Sequence, residues 1–431
     1  TIIDGEVNYT IGGASVWGND PYFNNYDITN GNWAMNITNG TGKITIRNLN
    51  IQHMLSNGTG GGASISLYPT ATVDNYGNLE VDNVYFFENL AGVGAGIRSN
   101  NGSTLLVNNS IFEGNRKGPS TGNYGAGIYN NGTAMVINSQ FIKNAARWGT
   151  ITNDQTIDII NCTLKDGKAY NAGSSYKFGS GIAANTGESD FFNPYDINKV
   201  HTNVINCTFF NNQQTDIYTG LGNLSVNNCN FNHSTGIYIT GSNEFMDIKI
   251  EIFNSSFNDM QPSSLFGSLT NTNTGTIFAI YSVTSRNTTI QGNNINFTGN
   301  GYGMYLNSKA TVTNNTLNKY IVVTGNNNNI SNNIIKTNDI YSIQLNKNNT
   351  VINNTLYSNI FTGDKAVLST DNSNIIKDNL PVTGSYVNLT DDNYNTYFDN
   401  NGVIKTDVVE NGSIITIAEN ITNKDLTFSN I

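Results

Sequence analysis

The sequence predicts an all-β protein folded as a right-handed parallel β-helix, with coils of roughly 18–29 residues. Three observations predict it. A nine-residue phrase recurs along the chain, apolar residues come in short alternating bursts, and a 3.6-residue helical period is absent. The phrase runs apolar, any, Asn, small, any, apolar, any, any, Asn. It reads Val107-Asn-Asn-Ser-Ile-Phe-Glu-Gly-Asn115, Val136-Ile-Asn-Ser-Gln-Phe-Ile-Lys-Asn144, Val204-Ile-Asn-Cys-Thr-Phe-Phe-Asn-Asn212 and Val351-Ile-Asn-Asn-Thr-Leu-Tyr-Ser-Asn359. Looser copies begin at Val81, Ile159, Val226, Ile252, Val312, Ile330 and Thr370. A copy near Ile290 carries two extra residues before Phe297-Thr-Gly-Asn300. The longer gaps, from Ile159 to Val204 and from Ile252 to Ile290, suit a skipped coil or an inserted loop.

In a parallel coil each phrase position lies above its predecessor, about 4.8 Å away, so like residues form columns. Phe112, Phe141 and Phe209 are expected to stack inside, with Leu164 in the same column. Asn at a tight bend tolerates left-handed backbone angles, and stacked amides bond to one another along the axis. A ladder of Asn109, Asn138, Asn161 and Asn206 is the expectation. A second phrase precedes the first: Gly94-Ala-Gly-Ile97 matches Gly125-Ala-Gly-Ile128, and Gly179-Ser-Gly-Ile182 echoes both. Small residues there permit close backbone approach.

Asn makes up about 18% of the chain, far above the usual share of a polar residue. Charged residues reach only 12%, and the net charge is −10. An acidic chain lacks the basic face that nucleic acids or anionic membranes require. No apolar run approaches the roughly 20 residues that span a bilayer, so membrane insertion is not expected. The chain starts at Thr1, which predicts a processed or trimmed N-terminus. Cys162, Cys207 and Cys229 all fill the fourth, small position of the phrase, where Ser110, Ser139 and Ser255 stand elsewhere. They read as a buried, reduced column and not as a metal site.

These residues resemble two groups. Paired Gly-Ala-Gly-Ile and Phe-x-x-Asn phrases, here Gly94–Ile97 with Phe112–Asn115 and Gly125–Ile128 with Phe141–Asn144, resemble the repeats of chlamydial polymorphic outer-membrane proteins. The Asn content and the stretch from Val387 to Gly402 resemble adhesin-like surface proteins of methanogenic archaea. The resemblance implies a parallel β-helix on a cell surface, outside the cell.

One β-helix is expected over residues 1–383, followed by a C-terminal extension over 384–431 that opens a further β coil or module. Strand alternation resumes at Gly412-Ser-Ile-Ile-Thr-Ile417, and Phe428-Ser-Asn-Ile431 reads as the start of another phrase. Two aromatic-rich stretches break the rhythm, Trp17 to Trp33 and Tyr170 to His201. Solenoid insertions emerge as loops that bind or cap. Tyr176, Phe178, Phe191, Phe192 and Tyr195 are the candidate binding residues.

Catalytic residues are not expected. A β-helix lyase needs a carboxylate cluster for Ca²⁺ and a basic residue, and a hydrolase needs stacked Asp. The five Arg (Arg47, Arg98, Arg116, Arg147, Arg286) and the three His (His53, His201, His233) stand in unrelated contexts, and Asp391-Asp392 is the only paired acid. No metal or cofactor is called for. The expected role is a non-catalytic adhesion module whose partner is a glycan or protein of a host or neighbouring cell. A passive envelope stalk and a carbohydrate-active enzyme are the alternatives. Asn-x-Ser/Thr occurs about twenty-one times, and Asn8, Asn57 and Asn131 are candidate glycosylation sites.

Overall fold

In a computed structural model, the described residues are 2–4, 35–37, 42–54, 73–117, 124–169, 179–184, 200–241, 248–262, 277–284, 286–380, 386–389, 394–405, 414–417 and 426–427. Most of them belong to parallel β-helical coils in which successive phrases lie rung on rung. The contacts group into two compact units, Thr1–Arg286 with Thr298–Asn300, and Asn287–Phe297 with Gly301–Ile431.

In the first unit one coil shows the anatomy. Strand Thr104–Asn108 leads to a bend at Asn109, then strand Ile111–Glu113, then a second bend at Gly114 and strand Arg116–Lys117. Gly125 turns the chain into Ile128–Asn130, and the next coil opens with Thr133–Ile137. Every interstrand pairing in this stack is parallel: Thr133 faces both Thr104 and Thr156, and Ile128 faces both Ile97 and Ile151. Coil length is uneven: 35 residues separate Asn48 from Asn83, 29 separate Asn115 from Asn144, and 22 separate Cys207 from Cys229. Cys162 and Cys207 are 45 residues apart yet adjacent, so the long gap is an insertion within one coil and not a skipped rung.

The predicted aromatic column is present. Phe141 faces Phe112 on one side and Leu164 on the other, Leu164 faces Phe209, and Phe209 faces Phe231. Ring centroids lie 4.8 Å apart for Phe112–Phe141 and 4.7 Å for Phe209–Phe231, with planes nearly parallel. All are buried. The second phrase exists for this column. A Cβ on Gly96 would meet the Phe112 ring at 2.8 Å, and one on Gly127 the Phe141 ring at 2.9 Å. Gly94 and Gly125, at φ 62° and 54°, supply the left-handed turn just before.

The second unit repeats the scheme with leaner coils. Strands Asn287–Gln291, Lys309–Thr313, Asn329–Ser331, Thr350–Ile352 and Ile375–Lys377 pair in parallel, and Asn315 and Asn333 are only 18 residues apart. Two expected phrases are corrected here. Ile290 faces Val312 and Ile295 faces Leu317, so the copy at Ile290 has no extra residues and Ile295, not Phe297, fills the core position. The last rung starts at Ile375, with Ile376 facing Val351, and not at Thr370, which precedes a turn. Tyr386–Leu389 pairs in parallel with Ile414–Ile417, and a short helix, Tyr394–Tyr397, places Tyr394 in a small core with Phe398 and Ile404.

The asparagines divide by phrase position into two roles. Third-position residues Asn109, Asn138, Asn161 and Asn206 all have φ between 48° and 55°, and all are exposed. Asn is chosen there because other L-residues lose about 1–2 kcal/mol in this region. Their amides are only loosely linked: Asn161 donates to Asn138 at 3.3 Å, Asn138 turns to Asn108, and Asn206 accepts from Asn228. The buried ladders sit elsewhere. In the first unit the ninth position carries one: Asn89 donates to Asn115 (2.9 Å) and Asn115 to Asn144 (3.1 Å). In the second unit the fourth position carries another, through Asn293, Asn315, Asn333, Asn354 and Asn379. Each acceptor oxygen there takes both the amide and the backbone N–H of the residue before it in the ladder, so buried polar groups are satisfied in pairs.

Position four in the first unit uses hydroxyls and thiols for the same task. Ser139 Oγ accepts the Ser110 N–H at 3.1 Å, Cys207 Sγ the Cys162 N–H at 3.4 Å, and Ser255 Oγ the Cys229 N–H at 3.0 Å. Each side chain donates back to a carbonyl two residues earlier, as Cys162 does to Ile160 and Cys229 to Asn227. All three cysteines are buried and free. The hydrogen bond to Cys207, together with burial, holds the Cys162 and Cys229 thiols far above the ordinary thiol range. All three sulfurs are shut away from solvent by the stacked coils, so reagent access limits the reaction: native labelling is expected to be slow and to become fast only on denaturation. Rapid labelling of the native protein contradicts the column.

Candidate functional site

Tyr176, Phe178, Phe191, Phe192 and Tyr195 lie outside the described residues, as do Asn8, Asn57 and the Trp17–Trp33 stretch. The aromatic stretch is nonetheless not one loop. Residues 179–184 belong to the coil, with strand Ile182–Ala184 paired to Ile151–Asn153 on one side and Ile217–Thr219 on the other. Asn131 is half-buried in the turn before Thr133, its N–H bonded to the Ser99 carbonyl.

What the described residues do bring together is a shallow trough along the first bend. It is lined by Asn48, Leu49, Asn50, Asn83, Val84, Tyr85, Asn109 and Ile111. Left-handed angles at Asn48, Asn83 and Asn109 turn the backbone sharply between two outward faces, and the concavity follows from that turn. Asn83 donates to Asn48 at 2.8 Å, and both are exposed. Tyr85 stands along one wall. Its hydroxyl donates to Glu113 at 2.7 Å, and its ring lies 5.4 Å from Phe87. Burial and the Glu113 bond hold the Tyr85 phenol well above the ordinary range, so it remains a neutral donor. The lining is therefore uncharged: carboxamides that donate and accept, with a phenol and the apolar faces of Leu49 and Ile111 between them. Such a surface hydrogen-bonds hydroxyl groups and packs against C–H faces.

The ionisable groups are used differently. Among the described residues no group of three or more His, Cys, Asp or Glu could hold a metal ion. Arg286 is buried and donates to the carbonyls of Gly222 (2.8 Å), Thr219 (3.3 Å) and Thr240. Desolvation lowers its pKa to about 10. His233 pairs with Asp259 at 2.7 Å on the exposed second bend. Lys43 and Arg47 pair with Glu80 near one end of the trough.

Among the described residues Asp216 is the most buried acid. Its carboxylate accepts from Asn212 (2.9 Å), Ser234 (2.8 Å) and the N–H groups of Thr235 (3.1 Å) and Gly236 (2.7 Å), joining two coils at a corner. Burial raises its pKa to about 6 despite these donors. The folded state thus binds a proton more tightly than the unfolded chain. This contribution to stability is complete below the unfolded pKa of 3.8 and is lost as pH rises through about 6. Two pKa units correspond to roughly 2–3 kcal/mol. Urea midpoints measured from pH 4 to 7 are expected to show this loss in the wild type and a flatter profile for Asp216→Asn. Identical slopes contradict the assignment.

Sequence reasoning missed the trough because Asn48, Asn83 and Asn109 are spaced unevenly, the copy at Val81 is loose, and the one at Ile46, with Met54 in place of the last Asn, was not recognised. The positive φ shared by every third-position Asn is the signal that could have found it. A scan against protein-family models matches no family, and a search of curated proteins finds no match.

Proposed function

We propose that the chain is a non-catalytic recognition module of a cell surface, outside the cell, that engages glycans on a host or neighbouring cell. The observation that carries the reading is the neutral, amide-lined trough beside Tyr85, held on stacked coils. Because the lining side chains sit on paired strands and a hydrogen-bonded bend, little conformational entropy remains to be lost on binding. The uncharged lining favours hydroxyl-rich ligands over anionic ones. The resemblance to surface adhesins supports the same reading.

The test is a neutral-glycan array probed with the full chain, beside Tyr85→Ala and Asn83→Gly. Asn83→Gly preserves the left-handed bend while removing the amide. Binding by the wild type that falls about tenfold in each variant, equivalent to 1.4 kcal/mol, supports the trough. Binding that neither change affects moves recognition to another surface, with the aromatic stretch from Tyr170 to Tyr195 next in line. Absence of binding to any glycan or cell surface favours a passive stalk. Cleavage of a glycan by pure protein overturns the non-catalytic reading.

A further inference from the structure

The phrase sorts Asn-x-Ser/Thr motifs from ladder asparagines by geometry. An Asn at position four has position six two places later, and position six must be apolar because it faces the core. Asn293, Asn315, Asn333 and Asn354 are accordingly followed by Ile295, Leu317, Ile335 and Leu356, all buried. No buried asparagine among the described residues has Ser or Thr two places later. An Asn at position three has position five two places later, which points outward from the short strand and is free to be Thr or Ser. Asn161, Asn206 and Asn254 in the first unit, and Asn314 and Asn353 in the second, complete the acceptor motif in this way. All five are exposed, with φ between 48° and 56°.

We infer that this outer bend is a column of N-glycosylation sites, served by an oligosaccharyltransferase with a lipid-phosphate-linked oligosaccharide as donor. The carboxamide Nδ2 forms a bond to the anomeric carbon of the sugar. The bond from that carbon to the phosphate oxygen breaks, the electron pair leaves on the lipid phosphate, and the amide proton passes to a base of the transferase. A glycan attached at the bend projects into solvent and leaves the inward columns untouched, because position three contributes nothing to them.

The stacking also sets a limit. Asn161 and Asn206 stand on adjacent rungs, since Ile160 faces Ile205 directly before them, and adjacent rungs are about 4.8 Å apart. A branched oligosaccharide on one of them crowds the approach of the transferase to the other, so one molecule is expected to carry a glycan on one of the pair. Asn206 and Asn254 are separated by the rung of Asn228, and Asn314 and Asn353 by that of Asn332, neither of which completes the motif.

The experiment is peptide and intact mass spectrometry of the full chain secreted from a cell whose transferase modifies a control protein, before and after enzymatic deglycosylation. Glycan is expected on Asn254, Asn314 and Asn353, and on Asn161 or Asn206 but not both in one molecule. Thr208→Ala removes the motif at Asn206 without touching its bend, and occupancy of Asn161 should then rise; Thr163→Ala should do the reverse. All five residues unmodified overturns the inference. Molecules bearing glycan on both Asn161 and Asn206, or occupancies that ignore the two variants, overturn the limit set by the stacking.

Discussion

Replacing Phe112 with Ala is expected to destabilise the first unit by about 3–5 kcal/mol, the usual cost of deleting a buried aromatic side chain. Phe112 is fully buried between Phe86, at 4.6 Å, and Phe141, at 4.8 Å, and both neighbours stack on it face to face. Its loss removes two ring contacts and leaves a void that Gly96, already against the ring, cannot fill without moving backbone. Stability in a solenoid is approximately a sum over coils and their interfaces. The loss should therefore appear locally, as faster amide exchange in Asn78–Phe87, Thr104–Asn108 and Thr133–Ile137. Uniform acceleration along the whole chain contradicts coil-by-coil stability.

The second large effect is expected inside the amide ladder. Asn333 accepts from the Asn315 N–H and amide at 2.9 Å each, and donates to Val312, Ser331 and Asn354. Asn333→Ala leaves several of these buried groups without a partner, each costing about 1–3 kcal/mol, so a loss of at least about 3 kcal/mol is expected. Asn332, one residue earlier, is exposed at φ 57° and serves only the bend. Asn332→Gly keeps that conformation and should change stability by about 0.5 kcal/mol or less. Urea unfolding of the two variants, adjacent in sequence and opposite in role, separates ladder from bend. Equal losses contradict the division.

The contrast between Asn332 and Asn333 also marks where the sequence was legible. The inward columns were: Phe112, Phe141, Leu164 and Phe209 announce themselves because a period-2 strand with one buried face shows its apolar set in the text. The cysteine column was legible for the same reason, since Cys replaces Ser at one phrase position. The ladder was harder. Positions three, four and nine can all carry Asn, and only the backbone angle tells which side chain turns inward. Asn109, Asn138, Asn161 and Asn206 recur most regularly because a left-handed bend demands Asn, and the inward ladder then moves from position nine to position four between the two units. The trough was not legible, because a surface built by three coils of unequal length has no fixed spacing in the chain. Phe297 drew attention as an aromatic, yet Ile295 holds the register.

The register itself has a direct test. Thr104, Thr133 and Thr156 are outward-facing partners on three successive rungs. Adjacent rungs place Cα atoms about 4.8 Å apart, within disulfide reach, whereas alternate rungs exceed the limit of about 7 Å. Thr104→Cys with Thr133→Cys should cross-link readily under mild oxidation of the folded protein, as should Thr133→Cys with Thr156→Cys. Thr104→Cys with Thr156→Cys should stay reduced, with the native thiols silent in all three. Stacked coils with this register predict that pattern in the mass spectrum. Cross-linking of the Thr104–Thr156 pair, or failure of both adjacent pairs, would contradict it.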